Sequence, residues 1–108
     1  FAKGMGARLS ATAIPSYADE EKTFADLQAR IAKTIAFLES LDRNAFKGAA
    51  ERTTKVRLSR DVEKEMPGAE YFNRYGLPNF YFHMTTAYNI LRHNGVELGK
   101  GDFLGRNL

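Results

Sequence analysis

The stretch Leu77–Gly95, LPNFYFHMTTAYNILRHNG, is the most apolar and aromatic run of this chain. Pro78 suits the first turn of a helix, where its missing N–H costs nothing and its fixed φ is already helical. Asn94 and Gly95 suit the end, because both tolerate the left-handed backbone that closes a helix. No Gly or Pro lies between Pro78 and Asn94, so a single helix over 78–94 is expected. On a wheel of 100° per residue, Phe80, Tyr81, Met84, Ala87, Tyr88, Ile90 and Leu91 share one broad arc, with His83 inside it. Thr85, Thr86, Asn89, Arg92 and His93 fall on the other side, and Phe82 joins them as the odd apolar residue. An arc this wide needs more than one neighbour, as the central helix of a bundle does. The expectation is that this helix is the most buried element.

The rest of the composition sets limits. A length of 108 residues accommodates one small domain, taken as 1–108. With 44% hydrophobic and 27% charged residues the chain is globular rather than disordered. The absence of cysteine excludes disulfides, thiol catalysis and thiolate metal ligands, and fits a reducing, cytoplasmic setting. The Leu77 run carries two His, an Arg and two Asn between its caps, which excludes a membrane span. The net charge is 16 − 13 = +3 and is spread out. Arg52, Lys55, Arg57 and Arg60 form the densest basic patch, but Asp61, Glu63 and Glu65 follow directly. No nucleic-acid partner is expected from that pattern.

Upstream, Phe1, Met5 and Leu9 recur every four residues and read as the last turns of a helix, which Gly4 and Gly6 weaken. Ser10–Tyr17 reads as a loop. Thr23 with Asp26 then forms a near capping box at the start of a second helix. Its apolar stripe is Phe24, Leu27, Ile31, Ile35, Leu38 and Leu41, close to a heptad repeat. Asp42–Arg52 is a connection with Phe46 as its candidate anchor. Thr54–Leu58 alternates as a strand with one face buried, and Arg60–Met66 is its candidate return strand. Pro67 and Gly68 mark a turn, Glu70–Tyr75 a helical turn, and Val96–Leu108 a tail laid across the bundle.

No complete catalytic constellation is present. His83 and His93 are ten apart, roughly 15 Å along one helix and on different faces, so they cannot chelate one ion. Around His83 the positions three and four away are Asn79, Phe80, Thr86 and Ala87, none a strong ligand. No metal and no cofactor are expected. Tyr81, His83, Tyr88 and His93 are the candidate residues of a polar pocket for a small ligand.

Several of these stretches match a known pattern. Leu77–His83, Thr85–Tyr88 and Ile90–Gly95, continued by Gly99-Lys100 and Asp102–Gly105, resemble an uncharacterised bacterial domain-of-unknown-function family in the DinB/YfiT-like superfamily. Phe1–Gly4 and the Thr23–Ile31 helix share the resemblance. It implies a mainly α, up-down four-helix bundle, N-terminally incomplete here, with a small β-hairpin before the last helix. The wider superfamily builds metal sites from three histidines, two of them four apart on the last helix. His83 matches the first of that pair, whereas Ala87 stands at the second. The expected function is therefore a non-catalytic, self-associating domain. The alternative is a divergent metal-dependent transferase or hydrolase. Phe82 on the polar face and the absent helix together lead to an expected homodimer.

Overall fold

The computed structural model describes residues 1–106. Its elements are α1 (Ala2–Leu9), α2 (Phe24–Glu39), a 3-10 turn (Arg43–Phe46), β1 (Thr53–Arg57), β2 (Glu63–Pro67), α3 (Gly68–Glu70), a π-helical segment (Tyr71–Gly76), α4 (Leu77–His93) and α5 (Lys100–Phe103). The chain is mainly helical with one antiparallel hairpin among the described residues. The last two residues of the expected tail, 107 and 108, lie outside them.

Local chemistry sets most element boundaries. The Thr23 hydroxyl accepts from the Asp26 N–H at 3.1 Å, and the Asp26 carboxylate accepts from the Thr23 N–H at 2.9 Å. Two of the N–H groups that a helix start leaves open are thereby satisfied. At the other end of α4, the Gly95 N–H reaches the Arg92 carbonyl and the Val96 N–H the Leu91 carbonyl. With Gly95 at φ +88°, this is a Schellman closure.

The hairpin pairs Thr53 with Pro67, Val56 with Lys64 and Arg57 with Glu63. Thr54 and Val56 point to the buried side of β1, as the alternation requires. The basic patch of this region is engaged internally. Arg52 donates to the carbonyls of Leu9, Ala45 and Lys47 at 2.9–3.1 Å, tying the connection to the end of α1. Lys55 faces Glu65 across the strands at 3.4 Å, and Arg57 reaches the carbonyls of Ser59 and Arg60. Arg52 is thus the anchor of the connection, while Phe46 stays exposed.

One expectation is corrected near Pro67. Residues 67 and 68 do not make a free-standing turn, because Gly68 starts a helical run that continues through the π segment into α4. Pro78 stands in the first turn of α4, as a helix over 78–94 requires, although the π segment leads into that turn without a break. A proline there would press on the carbonyl four residues back and leave it unbonded. The preceding turn is widened to accommodate it: the Leu77 N–H bonds to Phe72, five residues back. The Asn79 side chain then donates to the Tyr75 carbonyl at 2.7 Å.

The larger correction concerns burial. No residue of α4 is buried. The buried apolar residues are Ala7, Val56, Met66 and Tyr71, with Met5, Leu9 and Tyr75 packed on the Val56–Met66–Tyr71 cluster. The core thus sits where α1 crosses the hairpin and the π segment. The wide apolar arc of α4 needs two covering neighbours and is only partly covered among the described residues, with Phe1 stacked on His83 and Phe103 edge-on to Tyr88. The α2 stripe is open as well, with Phe24 88% and Ile31 52% exposed.

The whole molecule reflects this openness. A compact chain of this length has a radius of gyration of about 13 Å, against 16.0 Å observed. A compact monomer of this mass exposes roughly 6,000 Å², against 8276 Å² here.

Gly68 marks the tightest backbone approach. Its N–H bonds to the Arg52 carbonyl at 2.9 Å, and an added Cβ would run into the carbonyl oxygen of Ala49. Gly68→Ala is therefore expected to destabilise the fold by about 1–3 kcal/mol, measured as a drop in urea midpoint at unchanged slope.

Candidate functional site

The two histidines sit apart on α4. His83 is exposed and stacks on the Phe1 ring at 4.7 Å, with Phe82 edge-on at 5.3 Å. His93 is the exposed last residue of α4. Tyr81 packs edge-on against Phe80 and is half exposed. Tyr88 is held differently: its hydroxyl donates to the Gly99 carbonyl at 2.6 Å, and its ring meets Phe103 edge-on at 5.2 Å. Of the four candidate pocket residues, only Tyr88 lines the cavity that forms on this helix.

That cavity, of about 220 Å³, lies between α4 and α5 and is lined by Thr85, Tyr88, Asn89, Arg92, Lys100 and Phe103. Thr85, Asn89 and Arg92 stand on the polar face of α4 at i, i+4 and i+7. That spacing was visible in the sequence. Lys100 and Phe103 were not placeable, because only the Schellman reversal at Gly95 returns the tail along α4.

A larger hollow, about 440 Å³, lies beside α2 where the loop ending at Thr23 crosses it. It is crowded with the protein's own ion pairs. Arg30 donates to Asp19 at 3.0 Å, to Glu21 and to the Ala18 carbonyl. Tyr17 lies under Lys33, 4.3 Å from ring centre to ammonium, and Lys3 is 3.8 Å from the same centre. These contacts clasp the loop onto α1 and α2, and Arg30 has its carboxylates already in place.

The residues present do not fit the three-histidine metal site of the wider superfamily. Ala87 offers no ligand four residues after His83, and His83 faces aromatic rings. Among the described residues no three His, Cys, Asp or Glu side chains converge.

Residues 1–104 match the family described as Domain of unknown function (DUF1993). The chain belongs to this family. It is also 42% identical to a solved structure, that of a DinB family member protein from Shewanella denitrificans, with a TM-score of 0.81. The match covers 94% of this chain and 57% of that one, so this chain spans little more than half of the Shewanella protein's length. No match was found among curated proteins. The DUF1993 chain is thus DinB-like, and its family carries no assigned activity. Among its described residues no helix is long and apolar enough to cross a membrane.

One carboxyl group of the clasp and one of the α2 cap carry a pH signature. Arg30, by hydrogen bond and charge, holds the Glu21 carboxyl below its ordinary range. The Thr23 side chain, with the N–H groups of Lys22 and Thr23, does the same for Asp26. A depressed folded pKa adds stability above the unfolded pKa and loses it as pH falls through the folded value. The urea midpoint is therefore expected to fall as pH drops below about 4.5. Glu21→Gln combined with Asp26→Asn should flatten that fall.

The metal geometry is also testable. Ala87→His would create an i, i+4 pair with His83. Calorimetry is expected to show zinc binding in the variant that exceeds binding by the parent chain; equal binding would show that this part of α4 cannot present a chelating pair.

Proposed function

We propose that this DUF1993 chain is a non-catalytic, self-associating domain of the cytoplasm. In this reading α1, α2 and α4 are three members of an up-down four-helix bundle, and a second copy of the chain closes the open side. The observation that carries it is the exposed area, 8276 Å² against roughly 6,000 Å² for a compact monomer of this mass. The excess, on the order of 2,000 Å² per chain, is larger than one partner's share of a standard interface and falls in the obligate class.

The chemistry of that surface supports the same reading. Along α2, Phe24, Leu27, Ile31 and Ile35 repeat on one stripe and are all exposed. Along α4, Ala87, Ile90 and Leu91 form a second exposed stripe. A stripe of large aliphatic residues at heptad-like spacing is the pattern that helix–helix packing buries. Full burial of each such side chain contributes roughly 1.5–3 kcal/mol. A few of them rival the ~5–15 kcal/mol stability of a small domain. Two-fold packing is the commonest closed solution.

Light scattering across a dilution series tests this. A dimer that persists at micromolar concentration is expected, and Ile31→Asp with Ile35→Asp should convert it to monomer. A well-folded monomer at that concentration would rule out the second copy and leave the stripes to be covered within one polypeptide. Phe82 is 65% exposed on the opposite flank of α4. A dimer unchanged by Phe82→Asp would assign the interface to the stripes alone.

A further inference from the structure

The segment 13–22 joins α1 to α2 and belongs to neither helix. Among the described residues it makes no backbone–backbone hydrogen bond and fully buries no side chain. Ile14, its one large aliphatic residue, is 44% exposed. What holds the segment is a set of cations on the two helices beside it. Lys3 of α1 donates to the Pro15 carbonyl and lies 3.8 Å from the centre of the Tyr17 ring. Lys33 of α2 lies 4.3 Å from that centre, and Arg30 5.7 Å. Arg30 also bonds the Ala18 carbonyl at 3.0 Å, the Asp19 carboxylate at 3.0 Å and the Glu21 carboxylate. The remaining ties are a long contact of 3.5 Å from the Tyr17 hydroxyl to the Lys33 carbonyl and the Lys22 N–H on the Asp26 carboxylate at 3.1 Å.

We propose that residues 13–22 form an ionic strap that opens as a unit, with Arg30 as its latch, while the core stays folded. A segment without a backbone ladder or buried apolar contacts opens at low free energy. Exposed ion pairs add little stability each and are weakened by salt, whereas apolar burial is not. Arg30 alone holds Ala18, Asp19 and Glu21, so its release frees most of the strap at once. None of these contacts touches the Val56–Met66–Tyr71 cluster, on which α1 keeps its own hold through Met5 and Leu9.

Opening changes one side of α2. The hollow of about 440 Å³ beside this helix has Tyr17 and Glu21 of the strap on one wall and Asp26, Ala29, Arg30 and Lys33 on the other. Release of the strap removes the first wall and uncovers Lys3, Arg30 and Lys33 together. On the helical wheel Ala29 and Lys33 lie roughly opposite Phe24, Ile31 and Ile35. The strap and the apolar stripe therefore use different sides of α2, and opening does not depend on self-association.

Chymotrypsin cuts after Tyr17 once that ring has left Lys3 and Lys33, so the rate of this cut in the whole chain measures opening. A free peptide of residues 13–22 is the control for the protease, and the amide NMR signals of Val56, Met66 and Tyr71 report the core. At low salt the chain is expected to be cut at least about tenfold more slowly than the peptide, and to approach the peptide's rate in about 1 M sodium chloride, where the screening length falls to about 3 Å. Arg30→Met should speed the cut at low salt and remove most of its salt dependence, with the core signals unmoved. Asp19→Asn with Glu21→Gln should do the same without altering α2. Equal rates in chain and peptide at low salt would overturn the proposal, since the strap would never be closed. So would a ratio of rates unchanged by salt, or variants cut no faster than the parent. Loss of the core signals alongside the acceleration in salt would also overturn it, because strap and core would then open together.

Discussion

The burial of Tyr71 is the contact on which the arrangement depends. Its ring is 2% exposed and is shared by three parts of the chain. Val56 and Met66 bring the hairpin to it, Met5 and Leu9 bring α1, and its own backbone starts the π segment that leads into α4. The Arg8 guanidinium lies 5.8 Å from the ring centre and covers the remaining side. Remove this junction and α1 has no reason to cross the hairpin. The short glycine-containing helix is too weak to persist without tertiary contacts.

That junction also explains why glycines occupy α1 despite their cost. A side chain at Gly6 would collide with Leu38, which places the end of α2 directly on the α1 backbone. The lower half of α2 is therefore packed, while the Phe24–Ile35 half projects away from the core. Close approach at one end of a rigid helix fixes its direction, and the heptad-like stripe beyond that point meets no partner within these residues.

The two flanks of α4 have different chemistry. One is aliphatic and continues the theme of α2. The other is polar and carries Thr85, Asn89 and Arg92 in helical register, with the returned tail beside it. The two faces share no side chain, because they lie on opposite sides of the helix.

Much of this was legible in the sequence, and the reason is that it was local. The Thr23–Asp26 cap, the Asn94–Gly95 stop and the alternation of Thr54 and Val56 depend on neighbours a few residues away, so residue type alone decides them. The family resemblance was legible chiefly in Leu77–Gly95 and in the Thr23–Ile31 helix. Burial was not. The apolar arc of α4 established that the helix needed covering, but periodicity cannot say whether a covering element exists. The core fell instead on Val56, Met66 and Tyr71, which only the crossing of α1 over the hairpin could bring together. Pro78 read correctly as a first-turn residue of α4, but the widened turn that leads into it leaves no residue signature. The candidate site divided in the same way. Tyr88 was visible as an aromatic with a polar end, but its partners Gly99, Lys100 and Phe103 arrive through the tail reversal. Long-range pairing of this kind is set by where rigid elements are stopped and aimed, which is a property of the tertiary structure.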